Sequence, residues 1–406
     1  MAATETLRRP AGSQSRRVEA LVGVLRKVGA SCELVLPDGE TIAVGASPPA
    51  FRVLFRNDAA LNVPLTQFAL GRAYVEGDID FEGDLFAALD LRNGLRSGFS
   101  AGQLMRFVYE LFLRSPTWVN RHAIDFHYTF GDDFYLTFID KRYRFYSHCV
   151  FHSDDETLEE AAEHKLESMV ERLGLQPGMR LLDIGGGWGG VTEYCGARGI
   201  HVTSLTLVEE SAEYIRNLIR EKGLPGEVFV EDVLEHRPKE PYDHAVIYGV
   251  IEHIPNYRQF CQSVWRALKP GGRLYVDASA TKEKFAMTPF TREYIWRGTH
   301  TFLALQDLLQ ELLYHGFEIV GVRRETHDYE LTIRHWAERL DAAHDEIAER
   351  WSESLYRAFR LYLWAGSHAF KTNRLQAYHL VAERRADPGP RPGNLRRLAH
   401  FVTSLR

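Results

Sequence analysis

The chain has 406 residues, of which 45% are hydrophobic, and a formal net charge of −6. That length accommodates two domains with a sizeable core, and the acidic balance excludes a broadly basic nucleic-acid binder, so no nucleic acid is expected as a partner. No run of about 18 apolar residues is present to span a bilayer. Cys32, Cys149, Cys195 and Cys261 are scattered without a CxxC pair, which argues against structural zinc or a disulfide framework, and no metal is predicted.

Residues 1–17 are polar, carry Arg8, Arg9, Arg16 and Arg17, and lack an apolar h-region. They read as a disordered leader rather than a signal peptide, which places the protein in the cytoplasm with any membrane contact peripheral. Residues 18–115 are expected to form a smaller α+β accessory domain. There Cys32–Leu36, the turn Pro37-Asp-Gly39 and Thr41–Val44 give a hairpin signal, and Phe51–Phe55 reads as a further strand. The acidic stretch Glu76–Asp84 lacks the ligand spacing of a calcium loop and reads as a solvated turn. Helical periodicity takes over from Leu85 to Leu113.

The segment Ile124–Phe151 is unusually aromatic. Most of its rings suit a packed segment sealing the next domain, and some ring faces suit a cation or a reacting chain. Thr157-Leu-Glu-Glu160 has the pattern of a capping box and opens a helix to about Leu173.

Arg180-Leu-Leu-Asp-Ile-Gly-Gly-Gly-Trp-Gly-Gly190 follows. An apolar strand enters a glycine-rich turn and then a helix, a geometry that lets backbone N–H groups approach a nucleotide-type cofactor. Strand candidates at Leu181–Ile184, Val202–Leu207, Val228–Val230, His244–Ile247 and Arg273–Val276 alternate with helical stretches, with Lys269-Pro-Gly-Gly272 as the turn feeding the fifth. This implies an α/β, Rossmann-like, mostly parallel sheet over 116–385, with ligands at the carboxyl ends of its strands. Phe317–Val322 and Ala377–Ala382 would complete seven strands. Between them, at about 324–374, lies a helical insertion rich in rings, fit to enclose a greasy substrate. Residues 386–406 form a basic tail with Leu395, Leu398, Val402 and Leu405 at helical spacing, suited either to anionic lipid or to a partner helix.

The D-I-G-x-G-W-G-G turn and the aromatic approach segment together resemble the cyclopropane-fatty-acyl-phospholipid synthase family of S-adenosylmethionine-dependent methyltransferases. His127-Tyr-Thr-Phe-Gly-Asp-Asp-Phe-Tyr135 is similar to the family's H-Y-D-x-x-x-D-F-Y element, with Thr129 in place of its Asp. Tyr146-Ser147, Thr206-Leu207 and Glu252-His253 are similar to further elements, as are Tyr329–Trp336 and Tyr362–Lys371 in the insertion. The resemblance implies the class I methyltransferase fold, S-adenosylmethionine as methyl donor, and transfer to the double bond of an unsaturated fatty acyl chain of a lipid, a phospholipid above all. The resemblance further implies that a carbocation forms on the chain and that proton loss gives a cyclopropane or a methylene branch, which later reduction would turn into a methyl branch.

For the cofactor, the resemblance implies Asp183, Gly185, Gly187 and Gly189 in the turn, Tyr146 and Ser147 at the methionine end, Thr206 and Glu209 near the ribose, and Glu231 and Asp232 near the adenine. The family's ribose Gln is Ser211 here. His127, Tyr128, Phe134, Tyr135 and Trp336 are implied on the substrate side. In the family a bicarbonate held by Cys, Glu, His and Tyr removes the proton. Glu252 and Tyr329 match, but the Cys position holds His148 and the His position holds Asp277. A second carboxylate beside Glu252 repels an anion unless one of the two is protonated. Bicarbonate is therefore doubtful, and the expected base is His148 or a carboxylate of the Glu252/Asp277 pair. A small-molecule methyltransferase and a non-catalytic lipid- or cofactor-binding homologue are the competing functions. The sequence leaves open whether the chain forms a homo-oligomer.

Overall fold

Short apolar runs bounded by turn residues become strands throughout this chain. The computed structural model describes residues 13–95, 98, 102, 103, 105, 109, 130–296, 300–389 and 403. The chain divides into one unit of residues 1–138, 287–298 and 333–372 and a second of 139–286, 299–332 and 373–406. His127, Tyr128 and nearly all of the expected basic tail lie outside the described residues.

In the first unit, β1 (Cys32–Val35), β2 (Thr41–Val44), β3 (Phe51–Phe55) and β4 (Ile79–Gly83) form a sheet of order β2-β1-β3-β4. The β1–β2 hairpin is the one read from Pro37-Asp-Gly39. The acidic stretch, expected as a turn, is instead the edge strand β4. Ile79 is buried in the core, while Asp80 and Glu82 pair with Arg56 (3.2 Å) and Arg52 (2.8 Å) of β3. Its acidity marks the polar face of a half-buried strand. The helix Ser13–Lys27 begins inside the expected leader, so the boundary at residue 17 falls within a helix. Residues 326–371 carry the helices Thr326–Ala342, His344–Arg350 and Glu353–Lys371.

The second unit carries β5 (Arg180–Ile184), β6 (His201–Thr206), β7 (Gly226–Val230), β8 (Tyr242–Tyr248), β9 (Leu268–Ala280), β10 (Phe317–Arg324) and β11 (Gln376–Arg384). They form one sheet of order β10-β11-β9-β8-β5-β6-β7. The run from β9 to β7 is parallel, and β11 lies antiparallel to both β9 and β10. The expected turn Lys269–Gly272 is a bulge within β9, where the register with β8 skips from Tyr242↔Leu268 to His244↔Arg273. The helix Leu158–Leu173 opens on the predicted capping box: Thr157 Oγ accepts from Glu160 N–H, and Glu160 accepts from Thr157 N–H. Its buried stripe is Leu158, Ala161, Ala162, Lys165, Leu166, Met169 and Leu173.

One residue shapes the entry to this unit. The buried carboxylate of Asp140 accepts from the backbone N–H groups of Arg142 (3.2 Å), Tyr143 (2.6 Å), Arg144 (3.0 Å) and Phe145 (2.6 Å). It thereby holds Arg144 in the left-handed region at φ 62° and aims the chain into Tyr146-Ser147-His148. Asp140→Ala leaves buried donors unpaired and is expected to lower stability by about 3 kcal/mol, measured by urea unfolding.

Candidate active site

The carboxyl ends of β5 and β8 meet where the strand order reverses, the place at which a doubly wound sheet binds its ligand. At the end of β5, the N–H groups of Gly185 and Gly186 both donate to Leu205 O at 2.9 Å, which folds the turn tightly. Gly185 has φ 86° and no room for a side chain, since a Cβ would meet Val250 at 2.4 Å. Gly187 has φ 52° and open space, with only Gly185 O at 4.0 Å from where a Cβ would stand. A bare backbone facing open space is what a nucleoside-bearing cofactor needs, so S-adenosylmethionine fits here. Gly189 caps the following helix at φ 75°. Asp183 is buried, accepts from Ser204 Oγ–H at 2.9 Å, and has its carboxyl pushed up to about 7 by burial.

Next to this turn lies a buried ionic cluster. Lys165 Nζ donates to Asp277 Oδ2 (2.8 Å), Ser147 Oγ (2.7 Å) and His148 O (2.6 Å), and sits 4.0 Å from the centre of the Tyr248 ring. Asp277 Oδ1 accepts from Gly249 N–H at 3.0 Å. His148 Nε2 lies 2.7 Å from Glu325 Oε2, while its Nδ1 has no hydrogen-bond partner and stands 3.9 Å from Asp277 Oδ2. The Tyr329 ring covers the imidazole at 4.8 Å. Burial opposes a charge on His148, yet Asp277 and Glu325 together raise it above the ordinary imidazole value. Glu325 is also buried, but the hydrogen bonds from His148 and His379 hold it well below the usual carboxylate range. Glu252 accepts from Ser279 N–H and Oγ–H, both at 2.9 Å, through Oε1; its buried Oε2 has no hydrogen-bond partner. Burial pushes its carboxyl up to about 7.

The structure therefore gathers Tyr146, Ser147, His148, Asp183, Gly185, Gly187, Gly189, Glu252, Asp277 and Tyr329 in the second unit. Thr206 is buried at the end of β6, where its Oγ accepts from Val208 N–H. Glu209 is exposed and paired with Arg216 at 2.6 Å. Beyond β7, Glu231 pairs with His236 at 2.8 Å, and Asp232 accepts from Leu234 N–H. Phe134, Tyr135 and Trp336 belong to the first unit and are core residues there: Phe134 packs edge-on to Phe359 at 4.7 Å, and Trp336 against Phe138 at 6.4 Å. Three residues of the cluster escape sequence reasoning: Lys165, Glu325 and His379. Lys165 overturns the repulsion argument, because it neutralises Asp277 directly. Its own sequence signal is a lysine on the apolar stripe of an amphipathic helix.

This sheet and this rim define a class I S-adenosylmethionine-dependent methyltransferase. The chain belongs to the mycolic acid cyclopropane synthetase family, whose model matches residues 117–380. It is 28% identical over 366 residues to the cyclopropane-fatty-acyl-phospholipid synthase of Escherichia coli (strain K12), covering 86% of this chain and 92% of that one. It is 27% identical over 364 residues to a probable fatty acid methyltransferase of Pseudomonas putida, covering 86% and 91%. Among solved structures, the cyclopropane synthase MmaA2 from Mycobacterium tuberculosis superposes with a TM-score of 0.60 at 25% identity, over 65% of this chain and 98% of that one.

Two measurements test the electrostatics. Lys165→Met strands a buried carboxylate and should cost about 3–5 kcal/mol by denaturant unfolding; the double variant Lys165→Met/Asp277→Leu should recover much of that loss. An incoming sulfonium is expected to stabilise Asp183 and Glu252, both pushed up to about 7, as anions. Calorimetry at pH 7 in buffers of different ionisation enthalpy should show proton release on binding S-adenosylmethionine, and less on binding the uncharged S-adenosylhomocysteine.

Proposed function

We propose that this methyltransferase acts on a cis double bond in an unsaturated acyl chain of a phospholipid, at a membrane surface, and that His148 takes the proton that ends the reaction. Family membership and relatives named for fatty-acyl substrates support the substrate class. The carrying observation for the base is the His148 Nδ1, a basic atom without a hydrogen-bond partner standing where the family has Cys.

S-adenosylmethionine supplies the methyl group as a sulfonium electrophile. A neutral alkene is a weak nucleophile, so the second unit's task is to hold the reacting carbon in line and exclude water. The alkene π pair forms the new C–C bond as the methyl–sulfur bond breaks, with S-adenosylhomocysteine as the leaving group and a cation left on the chain. A C–H bond then breaks towards His148 Nδ1, and its electron pair closes a ring or forms a branched alkene. Asp277 is not the base, because Lys165 and Gly249 already engage both of its oxygens. Bicarbonate does not fit the donor set. Each proton of Lys165 Nζ has an acceptor within the protein, and His148 Nε2 is engaged by Glu325.

Incubation of the purified protein with methyl-labelled S-adenosylmethionine and phospholipid vesicles should place label in the acyl chains, with no stimulation by added bicarbonate. His148→Ala should lower kcat by roughly 10²–10⁴-fold. Label confined to a soluble product defeats the lipid assignment, and clear bicarbonate stimulation defeats the internal base.

A further inference from the structure

Building on the role of His148 as base, we propose that Glu325 is a positioning residue that fixes the tautomer and orientation of His148, with His379 locking Glu325 from its other oxygen. Glu325 closes a chain of three buried side chains. Its Oε2 lies 2.7 Å from His148 Nε2, and its Oε1 lies 2.5 Å from His379 Nδ1. An ionised carboxylate only accepts, so the nitrogen facing each oxygen carries a proton. With Nε2 protonated, the lone pair of neutral His148 resides on Nδ1, the atom without a hydrogen-bond partner. The Tyr329 ring above His148 at 4.8 Å, and the Tyr275 ring stacked on His379 at 5.0 Å, restrict both imidazoles from turning.

The backbone explains why these residues converge. Glu325 N–H donates to Ala377 O at 2.8 Å and Ala377 N–H donates to Thr326 Oγ, which ties the start of the helix Thr326–Ala342 to β11. The antiparallel register sets His379 directly opposite Asp277 of β9. Asp328, in the first turn of the helix, accepts from Phe151 N–H at 2.8 Å, and Thr332 Oγ accepts from Cys149 N–H at 2.9 Å. The segment bearing His148 is thus pinned to the helix that follows Glu325.

The titratable and charged groups facing His148 are Asp277 from β9, Lys165 from the helix Leu158–Leu173, and Glu325, Asp328 and the Tyr329 phenol from the insertion. Abstraction requires neutral His148, so kcat rises along an acid limb that reports the His148 imidazole in the substrate complex. Removing the negative charge of Glu325 favours neutral His148, and the limb must move to lower pH.

The test is kcat against pH for the full-length protein on phospholipid vesicles, with lipid products resolved by NMR and counted against S-adenosylhomocysteine formed. Glu325→Gln should shift the acid limb down by about one pH unit or more and lower the plateau at least roughly tenfold. It should also divert part of the transferred methyl into chains whose cation is quenched by water or by loss of a different proton. An unmoved limb with an unchanged product spectrum, at equal folded protein, overturns the proposal. If Glu325→Gln does not fold, His379→Ala decides: a redistributed product spectrum supports the lock, and the wild-type spectrum overturns it. Absence of any methyl transfer to acyl chains by the wild type is instead the failure of the function proposed above.

Discussion

The ion pair between Lys165 and Asp277 holds the cofactor end of the second unit together. A buried ammonium is costly to desolvate, and its charge is retained only where acceptors surround it. Here all three donors of Nζ are taken, by a strand carboxylate, a loop hydroxyl and a loop carbonyl, with the Tyr248 ring alongside. One side chain thereby joins three pieces of chain: the helix Leu158–Leu173, β9, and the segment Ser147-His148. Because Asp277 is neutralised, the carboxylates of the rim do not add up to a repulsive patch, and Glu252 stands close to a like charge that is already compensated.

The same dry interior pushes its carboxyl groups in opposite directions according to their partners. Asp183 and Glu252 receive only neutral donors, and burial drives both to about 7. Glu325 is just as hidden, but it sits between two imidazoles and is held as an anion. Poised carboxyls suit a site that must accept and release a cationic cofactor. A fixed anion suits the orientation of a base. The chemistry is thus divided among residues of the same type by the hydrogen bonds each receives.

What the sequence discloses is what local patterning encodes. The turn Asp183–Gly190, the strand–helix alternation, the hairpin at Pro37-Asp-Gly39 and the capping box at Thr157 all rest on residues within a few positions of each other. β4 was obscured because its acidic side chains answer arginines on a neighbouring strand, a pairing with no local trace. Asp277 and Glu252 both fall near the carboxyl ends of neighbouring strands, so the sequence pairs them with each other; the actual partner of Asp277 lies on a helix before the first strand of the sheet. Lys165 did leave a mark, breaking the apolar stripe of its helix. Glu325 and His379 left none, because an acid before a helix and a histidine in a strand are ordinary until β11 pairs with β9. Nor could ring-rich composition separate wall from core, and Phe134 and Tyr135 are wholly buried.

An internal base has a consequence that a borrowed anion lacks. The carboxylates of Asp277 and Glu325 outnumber the one ammonium, Lys165, that contacts this cluster, so the groups around His148 favour a proton on it. Protonated His148 is therefore the resting preference, in line with its raised value. A positive charge brought to this rim, first the sulfonium and then the cation on the acyl chain, opposes that proton and favours the neutral imidazole. By linkage, the neutral imidazole favours the positive charge in return. If His148 is the base as proposed, it is thus in its abstracting form when a cation is present to be deprotonated, a coupling that needs no more than the sign of the charges around it.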